Sequence, residues 1–214
     1  LPIYVSLARS GPNEISRWRE ATWRRPNTEK PRYSLGYRLE DRSAGETFTP
    51  DYVYGRPSLN LSGAMLNAVK LSGADLSHDD MSGADLTQSD LRQADLSGAN
   101  LQGANLWRSN LSRANFNEAN MAGCTLGRTN MSNSVLKAAD LKGASIAFSN
   151  LSYADLERAD LSGTDLSQTD LSWANLSGAN LRGARLIGAN LDMADLTGAD
   201  LQGAIIINTK VNST

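Results

Sequence analysis

Cysteine and histidine each occur once in this chain of 214 residues, as Cys124 and His78. A lone thiol excludes an internal disulfide, and the chain has no His/Cys spacing of the kind that holds zinc. Aromatic residues make up only 6%, so a core must be assembled from small and aliphatic side chains. No apolar run approaches the roughly 18–20 residues that a membrane-spanning helix requires, and no membrane insertion is expected. Charge of one sign is also missing. The net charge is −2, with 10 Lys/Arg against 7 Asp/Glu in residues 1–58 and 11 against 16 in residues 59–214. Such values select neither nucleic acid nor a lipid surface, and direct nucleic-acid binding is not expected. Phosphate loops, nucleophile elbows and other catalytic signatures are absent too, so the expectation is a non-enzymatic protein without cofactor or metal. The sequence opens at Leu1 rather than methionine. A cytoplasmic location is favoured, with the periplasm or a lumen as the alternative if a signal peptide has been removed.

What is present is a repeat. From Leu61 to Ile206 a large apolar residue falls on every fifth position without a slip; of those 30 positions, 24 are Leu. Two residues before it stands a small residue, usually Ala, and the residue between them is Asp or Asn in 23 of 30 cases. Ala94-Asp95-Leu96-Ser97-Gly98 is typical. On an α-helix five residues advance about 500°, which scatters the leucines around the axis. On a flat strand an odd spacing sends alternate leucines to opposite faces. A chain that turns at every repeat points each leucine inward from a different side.

A longer period counts the sides. The second residue after the leucine is glycine in every fourth repeat, as Gly63, Gly83, Gly103, Gly123, Gly143, Gly163, Gly183 and Gly203, against five of the other 22 repeats. Twenty residues per coil means four sides, with one column of corners that favours glycine. A type II turn, whose third residue has φ > 0, supplies the physical reason. The inward small position two repeats away gives an independent check. It reads Val69, Ser89, Ser109, Thr129, Ser149, Thr169, Ala189, Thr209, six hydroxyls in eight, which can bond one another or the backbone in a dry interior.

With thirty unbroken copies over residues 59–211, the chain resembles the pentapeptide repeat proteins, of the bacterial, cyanobacterial type. The resemblance implies an all-β fold, a right-handed quadrilateral parallel β-helix. It places core residues such as Leu96, Leu101, Leu106 and Leu111 inside and the Asp/Asn residues outside. About seven and a half coils at about 4.8 Å each give a column of about 36 Å. Outward Asp/Asn are expected to accept backbone N–H bonds at the corners.

Two ends need covering, because an open stack exposes apolar layers and unpaired backbone. Residues 1–58 are expected to form an N-terminal cap. Residues 12–25 read as an amphipathic helix with Ile15, Trp18 and Ala21 or Thr22 along one face, stopped by Pro26. The helix is similar to the short Trp-Arg helix that precedes the repeats in many bacterial members; the proline-rich stretch to Pro57 departs from the compact version. At the other end Ile205-Ile206-Ile207 breaks the polar pattern on both sides of its core residue. A capped or self-associating end follows, and homodimerisation there is one expectation.

Candidate sites are therefore outward positions. His78-Asp79-Asp80 holds one imidazole and two carboxylates, with Asp79 in the small inward position. This reads as a distorted corner near the cap rather than a metal site. Cys124 reads as a core residue standing in for Ala. The second side carries Trp107, Arg108, Arg128, Phe148, Arg185, Ile187 and Ile207; the third carries Arg92, Arg113, Asn133, Tyr153, Trp173 and Met193. Tyr153, Trp173 and Met193 share one column in successive coils. An aromatic patch flanked by arginines fits a protein partner, or else shields the solenoid face or packs on the chain's own 26–58 segment. A DNA-mimic modulator of type II topoisomerase is the alternative that the gyrase-protecting members suggest. Against it stand the unbroken register and the arginines on two adjacent sides.

Overall fold

A computed structural model of the protein describes residues 58–211. The helix near 12–25 and the rest of the N-terminal cap, up to residue 57, lie outside the described residues. Within them, parallel pairing joins each Asp/Asn position to its equivalent 20 residues on. Four ladders start at Asn60↔Asp80, Met65↔Asp85, Lys70↔Asp90 and Asp75↔Asp95, and continue through Asn190↔Lys210. A step of 20 on four separate ladders is a four-sided coil. Each side is so short that one residue per repeat is paired in this way.

The five-residue unit satisfies all five of its own N–H groups, and this explains its composition. In the repeat beginning at Leu96, the Leu96 N–H donates to Asn115 O in the next coil at 2.7 Å, and the Gly98 N–H to Asn117 O at 2.8 Å. Ala99 N–H closes the turn onto Leu96 O at 3.1 Å, and Asn100 N–H reaches back to Asp79 O at 2.9 Å. The fifth, on Ser97, is taken by the side chain of Asp95 at 3.1 Å. The recurrent Asp/Asn is thus a built-in acceptor for the one amide the ladders miss. At Val135 that acceptor is lacking, and Lys137 N–H turns instead to Asn117 Oδ1 of the coil below at 3.2 Å.

Leu96, Leu101, Leu106 and Leu111 are fully buried, as are Phe116 and Met121. The inward hydroxyls have one dominant use. Ser89, Ser109 and Ser149 donate to the carbonyls of Leu66, Leu86 and Leu126, each 23 residues back, at 2.7–2.8 Å. Thr129 bonds its own turn carbonyl, Leu126 O, at 2.7 Å, and the Ser149 hydroxyl at 3.2 Å. Each hydroxyl so placed adds a dry hydrogen bond to a turn carbonyl.

Two expectations change. The corner at His78 is not distorted: Asp79 N–H still donates to Leu76 O at 3.3 Å, and Asp80 keeps its pairing with Asn60 and Asn100. Asp79 fits there because its buried carboxylate accepts the Leu59 N–H at 2.7 Å, where the ladder begins. The glycine column also needs a different account. Positive φ is found at Gly83, Gly103, Gly123, Gly143, Gly163 and Gly183, but equally at every other corner. Seventeen of these are not glycine, among them Arg108, Phe148 and Trp173 at +59° to +62°. A Cβ on the column glycines from Gly63 to Gly183 would meet nothing within 4 Å. Neither φ nor crowding reserves that column; the structure offers no account of it. Elsewhere glycine does make room: the His78 ring lies over Gly98, where a Cβ would come within 2.4 Å of Nδ1.

Since L-residues are strained at positive φ, Ala138 at +52° should be improved by glycine. Ala138→Gly is expected to raise stability by about 0.5–1 kcal/mol despite the looser unfolded chain. Gly103→Ala should lower it by about 1 kcal/mol; paired guanidinium denaturation curves check both.

Candidate protein-interaction surface

Consecutive corners of the coil form four columns. The second column carries Arg108, Arg128 and Phe148, and the third carries Arg113, Tyr153, Trp173 and Met193. Between them runs the ladder that contains Asn110, Asn130 and Asn150. The repeat therefore places these side chains on the two edges of one flat side, because the third turn residue projects outward at each corner.

Tyr153 and Trp173 stack on each other, ring centroids 6.0 Å apart with 8° between planes. Phe148, Tyr153 and Trp173 are 59%, 57% and 52% exposed, which marks an uncovered aromatic patch among the described residues. Trp107, Ile187 and Met193 are only half-buried supports; the Trp107 ring lies beside Gly127, at 3.5 Å from where a Cβ would be. Arg108 places its guanidinium 4.2 Å from the Trp107 ring centroid, and Arg128 lies 5.5 Å from that of Phe148. The structure thus brings Arg108, Arg128, Phe148, Tyr153 and Trp173 onto one side with Arg113, while Ile205 and Ile207 stand apart at the C-terminal end.

Arginines here differ in their pairing. Arg92 is forked onto Asp90, Nε to Oδ1 and Nη2 to Oδ2 at 2.7 Å each. That fork holds the Asp90 carboxyl below the usual range, the Arg92 hydrogen bonds being the largest cause. Arg108, Arg113 and Arg128 make no ion pair among the described residues. Asn110, Asn130 and Asn150 accept the N–H groups of Ser112, Ser132 and Ser152 through Oδ1. Their Nδ2 groups donate to no described residue, whereas Asn100 and Asn190 donate theirs to Asp80 and Asp170. The five-residue pattern alone marks the Asp/Asn positions only as turn acceptors. The signal that separates this strip lies in the 20-residue period, as three asparagines in a row, Asn110, Asn130 and Asn150, between Asp90 and Asp170.

At the other end of the column, Ile205, Ile206, Ile207 and Val211 are 40–55% exposed, and Leu196 and Leu201 are only partly covered. Leu196, Gly198, Leu201 and Gly203 donate no backbone hydrogen bond among the described residues. No group of three or more His, Cys, Asp or Glu among the described residues is placed to hold a metal ion. No described helix is long and apolar enough to cross a membrane.

These features define a four-sided repeat solenoid. The chain belongs to the pentapeptide repeat family: the family model for pentapeptide repeats, with 8 copies, matches overlapping stretches from residue 80 to residue 213, more than half of the chain. Among solved structures it is similar to HetL, involved in heterocyst differentiation regulation in the cyanobacterium Nostoc sp. strain PCC 7120. That protein is 28% identical, with 69% of this chain and 82% of HetL covered and a TM-score of 0.40. Rfr23 from the cyanobacterium Cyanothece 51142 is 34% identical, covering 55% and 64% of the two chains at a TM-score of 0.27. A variant of QnrB1, a plasmid-mediated fluoroquinolone resistance protein, is 22% identical, covering 72% and 89% at 0.36. No curated protein matches.

Proposed function

We propose that this protein is a non-enzymatic interaction module whose second and third sides bind a protein partner. The observation that carries the reading is the stacked, half-exposed Tyr153–Trp173 pair beside arginines that have no carboxylate partner among the described residues. Rigid aromatic groups with adjacent Arg dominate binding energy where proteins meet. The corners that present them are fixed by the ladders, so little ordering entropy opposes docking. Shielding of the solenoid face is the competing reading. A DNA-mimic role on type II topoisomerase is disfavoured by the cationic character of this face.

Affinity capture with the native chain and with Tyr153→Ala/Trp173→Ala tests the reading, followed by titration of the purified partner against both. Loss of about 2 kcal/mol or more of binding, with unchanged circular dichroism, is expected. Equal binding by both chains would leave the rings as mere shielding.

A second reading is supported by the C-terminal end. Exposed Ile205, Ile206 and Ile207, beside N–H groups that donate to no described residue, offer an apolar edge that a second copy of the chain would cover. Ile206→Lys/Ile207→Asp is expected to convert a dimer to a monomer in analytical ultracentrifugation. A native chain that stays monomeric at high concentration would remove this reading.

A further inference from the structure

The overall charge of −2 hides a strong asymmetry around the column. On both sides flanking the second corner the ladders carry no carboxylate for three coils. One reads Asn105, Thr125, Ser145 between Asp85 and Asp165; the other reads Asn110, Asn130, Asn150 between Asp90 and Asp170. In the same three coils the remaining two sides carry Asp140, Asp155 and Asp160, and the fourth corner between them carries Glu118 and Glu157 against Lys137 and Arg158. The uncompensated zone is where Arg108, Arg113 and Arg128 stand.

The zone is rich in donors that no described residue accepts from. The three arginines have no ion-pair partner, and the Nδ2 groups of Asn110, Asn130 and Asn150 donate to nothing among the described residues. Asp90, one coil below Asn110, is engaged by Arg92 instead, through both carboxylate oxygens. Two guanidiniums are pre-positioned on rings, Arg108 on Trp107 and Arg128 on Phe148. A guanidinium associated with a ring in this way keeps its in-plane N–H groups available for a carboxylate. A ligand that satisfies this zone must bring acceptors and negative charge, and also apolar groups for Phe148, Tyr153 and Trp173.

Nucleic acid would supply the charge but would need ring faces for its bases. One face of each ring is already occupied, Trp107 by Arg108, Phe148 by Arg128, and Tyr153 and Trp173 by each other, which narrows the surface left for stacked bases. The geometry points to an extended acidic segment of a protein partner as the occupant of this side. Its carboxylates fork onto Arg108, Arg113 and Arg128, its backbone carbonyls accept from the asparagine strip, and its apolar side chains rest on the aromatic edge. This deepens the interaction-module reading and rests on it.

Fluorescence anisotropy tests it on the full chain. The probes are a labelled peptide of about 12 alternating glutamates and leucines, its lysine–leucine counterpart, and a labelled oligothymidylate of about the same length. The glutamate peptide is expected to bind, more weakly at about 0.3 M salt than at low salt. Arg108→Gln/Arg113→Gln/Arg128→Gln should weaken it about tenfold or more, while Lys142→Gln/Arg182→Gln on the glycine corner should not. Absence of binding to the glutamate peptide, equal binding by the triple variant, or tighter binding of the lysine peptide would overturn the assignment. Tighter binding of the oligothymidylate would replace it with a nucleic-acid ligand. The broader reading stands or falls separately, because the Tyr153→Ala/Trp173→Ala comparison uses the captured partner and is indifferent to its charge.

Discussion

Phe116→Ala is expected to lower the stability of the solenoid by about 4 kcal/mol, and Phe116→Leu by about 1 kcal/mol. Phe116 is fully buried and occupies a position where its equivalents one coil away are Leu96 and Leu136. The interior is a stack of side-chain layers, each packed only on the layers above and below. A missing ring in the middle cannot be filled by a shift of one flexible neighbour, because the ladders fix the spacing of the coils. The alanine variant therefore retains most of its cavity, whereas leucine is the residue for which the site is otherwise built. Repeat stacks depend on nearest-neighbour contacts, so the alanine variant should also lose cooperativity as the two halves begin to unfold separately. Guanidinium unfolding followed by far-ultraviolet circular dichroism measures both effects. Equal losses for the two variants would mean that the layer relaxes around a cavity and that the stack is softer than its hydrogen bonding implies.

The architecture was legible because one sequence position equals one spatial role. Leu at every fifth residue could satisfy neither a helix nor a flat strand, and the 20-residue recurrence of Gly63 to Gly203 and of Ser89 to Thr209 left four sides as the solution. Side-chain identity was less informative about the backbone. Residues such as Arg108, Phe148 and Trp173 do not announce a positive φ, yet they adopt the same φ as the glycines of the first column. The hydrogen bonds between coils impose the turn on whatever residue is there. Asp79 misled for a related reason. A carboxylate in a small inward position suggests distortion until its acceptor role for Leu59 N–H is seen. The candidate surface was legible as a set of columns but not as a pattern of pairing. That Arg92 is bound to Asp90 while Arg108, Arg113 and Arg128 are not depends on rotamers that a sequence does not encode locally.

Cys124 gives the other large effect, because it reports on the opening of the same stack. Its thiol is buried and lies 2.9 Å from Leu101 O, 23 residues back, the bond that Thr164 makes to Leu141 O at the same inward column. Burial pushes its pKa up to about 12, a hydrogen bond from the Ala104 backbone acting weakly in the opposite direction. An ordinary thiol titrates near 8.5, so at pH 8 the native chain should hold roughly a thousandfold less thiolate than the unfolded chain. Steric exclusion lowers reactivity further. Labelling with a disulfide reagent at pH 8 is thus expected to be at least about a thousand times slower than in guanidinium, where one thiol per chain reacts. If reaction proceeds only through open forms, its rate follows the free energy of opening. Phe116→Ala should then accelerate labelling more than Phe116→Leu does, in step with their losses of stability. Rapid labelling of the native chain would show that the coil around Cys124 opens without the rest, and that the solenoid is not a rigid rod at its centre. Slow labelling that tracks global unfolding would establish the opposite, a column whose middle coils open together and whose outer faces keep the fixed spacing that docking on Tyr153 and Trp173 requires.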